Sequence, residues 1–61
     1  MSPLINSTVR NMKREKARRL VVMAIQKLQE AERLIEYERY GEAEEKISIA
    51  KMALRKIVHE M

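Results

Sequence analysis

The residues best suited to a chemical task are six cations within ten positions: Arg10, Lys13, Arg14, Lys16, Arg18 and Arg19. A single acid, Glu15, lies among them. Such a cluster neutralises several phosphates at once, and the release of condensed counterions makes its binding salt-sensitive and largely independent of base sequence. We therefore predict that nucleic acid binds at five of these cations, namely Arg10, Lys13, Arg14, Lys16 and Arg18. The alternative interpretation is a solvated, charged helix end that keeps a small protein in solution.

No other group of residues has the make-up of a catalytic or metal site. Glutamates are dense between positions 30 and 45, but two packed helices offer little room for the cleft that acid–base catalysis by carboxylates requires. His59 is the single histidine, cysteine is absent, and no nucleophile elbow, phosphate loop or zinc motif occurs. Tyr37 and Tyr40 are the two aromatic residues, and we expect them to cover one end of the fold. The sequence predicts a non-enzymatic protein without cofactor or metal.

The elements that position these residues follow from two apolar series with alternating steps of four and three. Such steps keep side chains on one face of a helix, and alanine at every second position lets two backbones approach closely. The first series is Ala17, Val21, Ala24, Leu28, Ala31 and Ile35; the second is Ala43, Ile47, Ala50, Leu54, Ile57 and Met61. Each series is therefore predicted to be the contact seam of one helix.

The boundaries predicted from helix-capping residues give a single domain over residues 1–61. Helix 1 runs from about 8 to 38, with possible starts at Ser2-Pro3 or at Asn6, Ser7 and Thr8. The turn occupies 39–41, where Gly41, the only glycine, is predicted to cap helix 1, and helix 2 runs from about 42 to 60. The fold class is an all-α antiparallel hairpin with a long first helix. Residues 8–19, the basic arm, extend beyond the end of helix 2.

Helix 1 also carries a second apolar stripe, which predicts self-association. A chain of 61 residues is near the lower limit of independent stability, and without cysteine it has no disulfide to supplement its core. Since one helix with two apolar faces needs two neighbours, we predict a homodimer that forms a four-helix bundle. The predicted interface consists of Val9, Met12, Leu20, Met23, Leu34, Ile49 and Ala53.

Two short resemblances accompany this interpretation. Tyr40-Gly41-Glu42-Ala43, followed by Ile47, Ala50 and Leu54, resembles the helix opening of tetratricopeptide-type and microtubule-interacting-and-transport hairpins over residues 40–54, without a second repeat. In size and predicted build, the chain is similar to Rop-type plasmid regulators, dimers of helical hairpins that bind paired RNA loops. The second resemblance implies a small nucleic-acid-binding regulator.

Two functions therefore remain open. The first is binding of nucleic acid by the basic arm, with a net charge of +4 favouring an anionic partner. The second is a protein interaction module, in which the second stripe docks a partner helix. The apolar stretch over residues 20–25 is too short for a membrane span and lies too far along the chain for a secretory signal, so we expect a cytoplasmic protein.

Overall fold

The computed structural model describes the backbone of residues 3–60 and the side chains of residues 12–59. Over this part of the chain there are two helices, α1 (Pro3–Glu36) and α2 (Tyr40–Glu60), and no strand. The two helices pack along each other as a hairpin, which confirms the predicted all-α architecture. The molecule measures 55 × 16 × 9 Å, so it is a single flat layer of two helices.

Helix α1 begins at Pro3, the earlier of the two predicted starts, and ends at Glu36. Two hydrogen bonds close its last turn: the Arg39 amide donates to the Leu34 carbonyl (2.8 Å), and the Glu38 amide donates to the Ile35 carbonyl (2.9 Å). Glu38 has a φ of 59°, in the left-handed region. These features define a Schellman motif, with Glu38 at the position that glycine usually occupies.

The turn therefore covers residues 37–39, and the prediction that Gly41 caps helix 1 was wrong. Gly41 is the second residue of α2 and does not have a positive φ. Arg39 precedes the helix, where its carbonyl accepts the first helical bond, from Ala43 (3.1 Å). The sequence prediction failed because the paired hydrogen bonds of the Schellman motif hold Glu38 in a conformation that costs a non-glycine residue about 1 kcal/mol.

The core between the helices consists of alanine. Ala24, Ala31, Ala43, Ala50 and Ala53 are each at most 4% exposed, and they are the only buried hydrophobic residues among those described. Leu20 packs against the cluster of Ala24, Ala50 and Ala53. No large side chain in the described part of the chain is fully buried. Four of the five predicted seam alanines are thus buried, Ala17 is half-buried, and Ala53, predicted as an interface residue, joins the seam.

Four large residues of the predicted seam are exposed, whereas Ile47 and Ile57 of the α2 series are half-buried as predicted. Val21, Leu28, Ile35 and Leu54 are 40–46% exposed. The alternate seam positions of α1 are instead taken by the half-buried row of Leu20, Lys27 and Leu34. The residues of both rows lie three or four positions from the alanines. Spacing alone therefore does not determine which row faces α2. Because the row contains Lys27, the sequence did not indicate that it faces α2. Lys27 is half-buried, and its ammonium lies 3.2 Å from the Glu30 carboxylate, so its hydrocarbon stem can line the seam.

Candidate nucleic-acid interface

The first part of the basic arm lies on the segment of α1 that extends beyond α2, and its last residues lie alongside the end of α2. At 1.5 Å per residue, the 34 residues of α1 span about 51 Å and the 21 residues of α2 span about 31 Å. The helices are antiparallel and are joined by a three-residue turn. The end of α2 therefore lies level with about residue 16 of α1. The residues before that level therefore project as a single helix beyond the hairpin.

The structure places the predicted phosphate contacts at the surface. Lys13, Arg14, Lys16 and Arg18 are all exposed, as is Arg19. The side chain of Arg10, the fifth predicted contact, lies outside the described residues. The cations surround the helix, because positions 13 and 16 fall on one side of the alanine seam and positions 14 and 18 fall on the other. The arm thus presents positive charge in several directions.

The single acid of the arm lies near one of its cations. Glu15 approaches Arg19 at 3.9 Å, between the carboxylate and the guanidinium Nε, and both side chains are more than half exposed. An exposed pair at that distance holds its partners weakly and is easily screened by salt. Lys13, Glu15, Lys16 and Arg19, together with Met12, line a shallow depression on the arm. A phosphate group lying there meets three cations and one acid.

The predicted interface residues separate into surface and core positions. Met12, Met23 and Ile49 are exposed, whereas Leu20 and Leu34 are half-buried. Ala53 is buried at 4% exposure against α1, so it belongs to the contact within the hairpin and offers no surface to a partner. Val9 has its side chain outside the described residues.

Two surfaces flank the alanine seam, one on each side of the flat hairpin. On one side Leu20, Met23, Ile49, Met52, Ala53 and Lys56 line a common groove. With Lys27 and Lys46, which also flank the seam there, these residues form what we call the mixed face. On the other side lie Val21, Ile25, Leu28, Ile35, Ile47 and Leu54, which we call the aliphatic face. The sequence alone did not reveal the aliphatic face, because most of its residues were assigned to the seam.

The two tyrosines at the turn and the single histidine lie at the surface. Tyr37 and Tyr40 are exposed on either side of the turn, and His59 is exposed near the end of α2. Among residues 12–59, no polar or charged side chain is buried, and no three His, Cys, Asp or Glu residues are grouped to hold a metal ion. Neither described helix is long and apolar enough to cross a membrane.

Comparisons of the chain with protein-family models, curated proteins and solved structures gave no match. The function is therefore inferred from the geometry of the hairpin and from its charges.

Proposed function

We propose that the chain is a small, non-enzymatic binding protein that self-associates and binds nucleic acid through its basic arm. The observation that carries the proposal is the exposure of four arm cations, Lys13, Arg14, Lys16 and Arg18, the first two of which lie beyond the end of α2. Glu15 is the only acid over residues 8–19. This segment is the most concentrated positive charge in the sequence, and it is carried on a helix with room around it.

A duplex is the favoured form of nucleic acid. An α-helix with its side chains is about 10–12 Å across, which matches the width of about 12 Å of the DNA major groove. Residues 8–19 contain no aromatic side chain on which unpaired bases could stack, so the arm lacks the usual platform for single strands. Contacts from lysine and arginine to phosphates position a protein without reading bases. We expect weak sequence preference and strong dependence on salt.

Fluorescence anisotropy with duplex DNA, duplex RNA and single strands of equal length, at low and moderate salt, tests the proposal. The variant K13Q/K16Q removes two arm cations. The matched control R33Q/K51Q removes two exposed cations that lie on the hairpin away from the arm. Both variants have the same net charge, so any difference between them reports the location of the charge.

We expect K13Q/K16Q to weaken binding and to reduce the slope of log affinity against log salt by about two, one for each phosphate that the variant no longer neutralises. The control should retain the slope of the wild-type chain. Equal weakening in both variants would mean that only total charge matters. Absence of binding by the wild-type chain at low salt would refute a nucleic-acid function.

The groove of the mixed face supports a second candidate function, a protein interaction module. Met23 and Met52 line this groove beside Leu20 and Ile49. Methionine adapts its shape to apolar partners, and an amphipathic helix can lay its apolar side into such a groove. In that case M23Q/M52Q would abolish binding of the partner helix, whereas K13Q/K16Q would leave it intact.

A further inference from the structure

The aliphatic face is an apolar surface that the described part of the hairpin leaves largely uncovered. Val21, Leu28 and Ile35 follow one another at seven-residue intervals along α1, and Ile47 and Leu54 do so along α2. Because Leu20, Met23, Ile49 and Met52 share a groove on one side of the seam, these two rows lie on the opposite side. Ile25 lies next to them at the outer edge.

The two faces differ in the residues that flank the alanine seam directly. On the mixed face this position includes Lys27 and Lys46, each half-buried. On the aliphatic face every residue in the corresponding rows, from Val21 to Ile35 and from Ile47 to Leu54, is aliphatic. A layer that covered the mixed face would bury lysine stems and their charges, whereas a layer over the aliphatic face would bury hydrocarbon alone.

The exposed area is large for so small a chain. Val21, Ile25, Leu28, Ile35 and Leu54 are 40–49% exposed, which leaves on the order of 400 Å² of apolar surface on one face. The buried hydrophobic core of the described residues is alanine only. Two such faces in contact bury about 800 Å², and the side chains at their edges supply the remainder of the ~1,200 Å² at which stable interfaces begin. A second copy of the chain supplies a surface of the same shape and chemistry.

We propose that two copies pack aliphatic face to aliphatic face, with their turns at opposite ends of the dimer. The proposal rests on the self-association that is part of the proposed function, and it adds which face is used and how the copies are oriented. In this orientation the two-fold axis lies between the two layers and is perpendicular to the helices, so α1 stacks on α1 and α2 on α2. In the alternative orientation the two-fold axis lies between the layers and is parallel to the helices. It stacks α1 on α2 and puts both turns at the same end of the dimer.

Charge at the edge of the aliphatic face distinguishes the two orientations. Arg18, Ile25 and Glu32 form one seven-residue row, so the row is positive at one end and negative at the other. When α1 stacks antiparallel on α1 with Ile25 at the two-fold axis, Arg18 of each copy lies near Glu32 of the other. In this register Lys51 of α2 faces Lys51 of the second copy, so the two ion pairs are opposed by one contact between like charges. In the alternative orientation Glu32 lies level with Glu44 of the second copy, and the two like charges repel. The first arrangement makes two ion pairs per dimer.

The same arrangement divides the cations of the basic arm. Arg14 and Arg18 fall on the side of the aliphatic face, and Arg14 continues the row of Val21 and Leu28 toward the amino terminus. They lie toward the turn of the second copy, where residues 30–45 carry seven glutamates and two arginines. Lys13 and Lys16 fall on the opposite side and face away from the second copy. These two lysines therefore stay on the outer surface of the dimer, where a phosphate can reach them.

Sedimentation equilibrium over about 5 to 200 μM chain tests which face is used, because dimer stability depends on concentration. L28Q places one amide in each aliphatic face, and M23Q places one in each mixed face as the matched control. Both side chains are almost equally exposed in the hairpin, at 45% and 43%, so both variants should keep their helicity by circular dichroism. We expect L28Q to weaken dimerisation about a hundredfold, because each dimer loses two buried leucines, and M23Q to leave it unchanged.

Reversal of the edge charges tests the orientation. R18E and E32R should each weaken the dimer about tenfold, since each breaks two ion pairs and creates repulsion. The double variant R18E/E32R exchanges the partners and should regain the wild-type dissociation constant. Failure of the double variant to recover would overturn the orientation, and a dimer abolished in M23Q but kept in L28Q would overturn the choice of face. A wild-type chain that sediments at 7.2 kDa throughout would overturn self-association, whereas nucleic-acid binding is decided separately by K13Q/K16Q.

Discussion

The turn places a glutamate, and not the single glycine, in the left-handed conformation, which predicts the effect of substitutions at both sites. Glu38 has a φ of 59°, a region in which a side chain with a Cβ costs about 1–2 kcal/mol. Gly41 has no positive φ, and a Cβ added to it meets nothing within 4 Å. The one glycine of the chain is therefore in a helix, while a glutamate occupies the left-handed position. Exchanging the residue types at these two sites should stabilise the protein.

The expected magnitudes follow from the two local conformations. E38G removes the left-handed strain, and after the greater freedom of glycine in the unfolded chain is subtracted we expect a gain of about 1 kcal/mol. G41A replaces glycine near the start of α2 with the best helix former and should add about 0.5–1 kcal/mol. For a chain of this size, 1 kcal/mol corresponds to a rise in Tm of roughly 4–8 °C. The two changes should be close to additive, although the sites are near each other in sequence.

Thermal and urea unfolding followed by circular dichroism at one fixed chain concentration provide the assay. E38A is the matched control, because it removes the same charge as E38G but keeps a Cβ. We expect E38A to remain near the wild-type Tm, so that the gain in E38G is assigned to φ and not to charge. If G41A is instead destabilised by about 1 kcal/mol and E38G gains nothing, the chain turns at Gly41 and a turn over residues 37–39 is refuted.

Two further predictions concern the ends and the centre of the hairpin. R39S should stabilise α2 by about 0.5 kcal/mol, because serine at the residue before the helix, with Glu42 three positions later, completes a capping box. The change also removes the exposed Arg39–Glu42 pair (2.9 Å), which limits the gain, and R39A serves as the control that removes the pair without adding a cap. A50L should lower the free energy of unfolding by about 1–3 kcal/mol, because Ala50 is 1% exposed where the helices approach most closely. S48L, at an exposed position of the same helix, should have little effect on stability, and urea midpoints measure both pairs.

The sequence predicted the hairpin because its alanine spacing is unambiguous. Ala24 and Ala31 on α1 and Ala43 and Ala50 on α2 are all buried, as the four–three pattern requires. The pattern did not determine which flanking row turns inward, since Leu20 and Val21 lie on either side of the same alanines. That choice depends on how the whole helices rotate about the seam, and Lys27 accepts a half-buried position only because its ammonium reaches Glu30. The prediction misplaced the turn because it assigned the left-handed position to glycine. In the structure the hydrogen bonds of the Schellman motif keep Glu38 in that conformation.

The basic arm was easier to locate, because unequal helix lengths follow from the position of the turn and the charges are read directly from the sequence. Moving the turn from 39–41 to 37–39 changes the overhang by only a few residues, so Lys13 and Arg14 stay beyond α2 in either case. What sequence could not supply was the division of the arm between two sides of the hairpin. That division requires the rotation of α1 about the seam, which the groove lined by Leu20 and Ile49 reveals.

The small side chains of the seam connect the fold to the proposed function. Alanine allows the two helices to approach closely, but it leaves the hairpin without a large buried side chain in its described part and leaves the aliphatic face exposed. The proposed dimer covers that face with a second layer. When that layer is a second copy with its turn at the opposite end, the two basic arms project from opposite ends of the bundle. Each arm then binds phosphate independently, and both engage one nucleic acid only if it runs along the full length of the dimer.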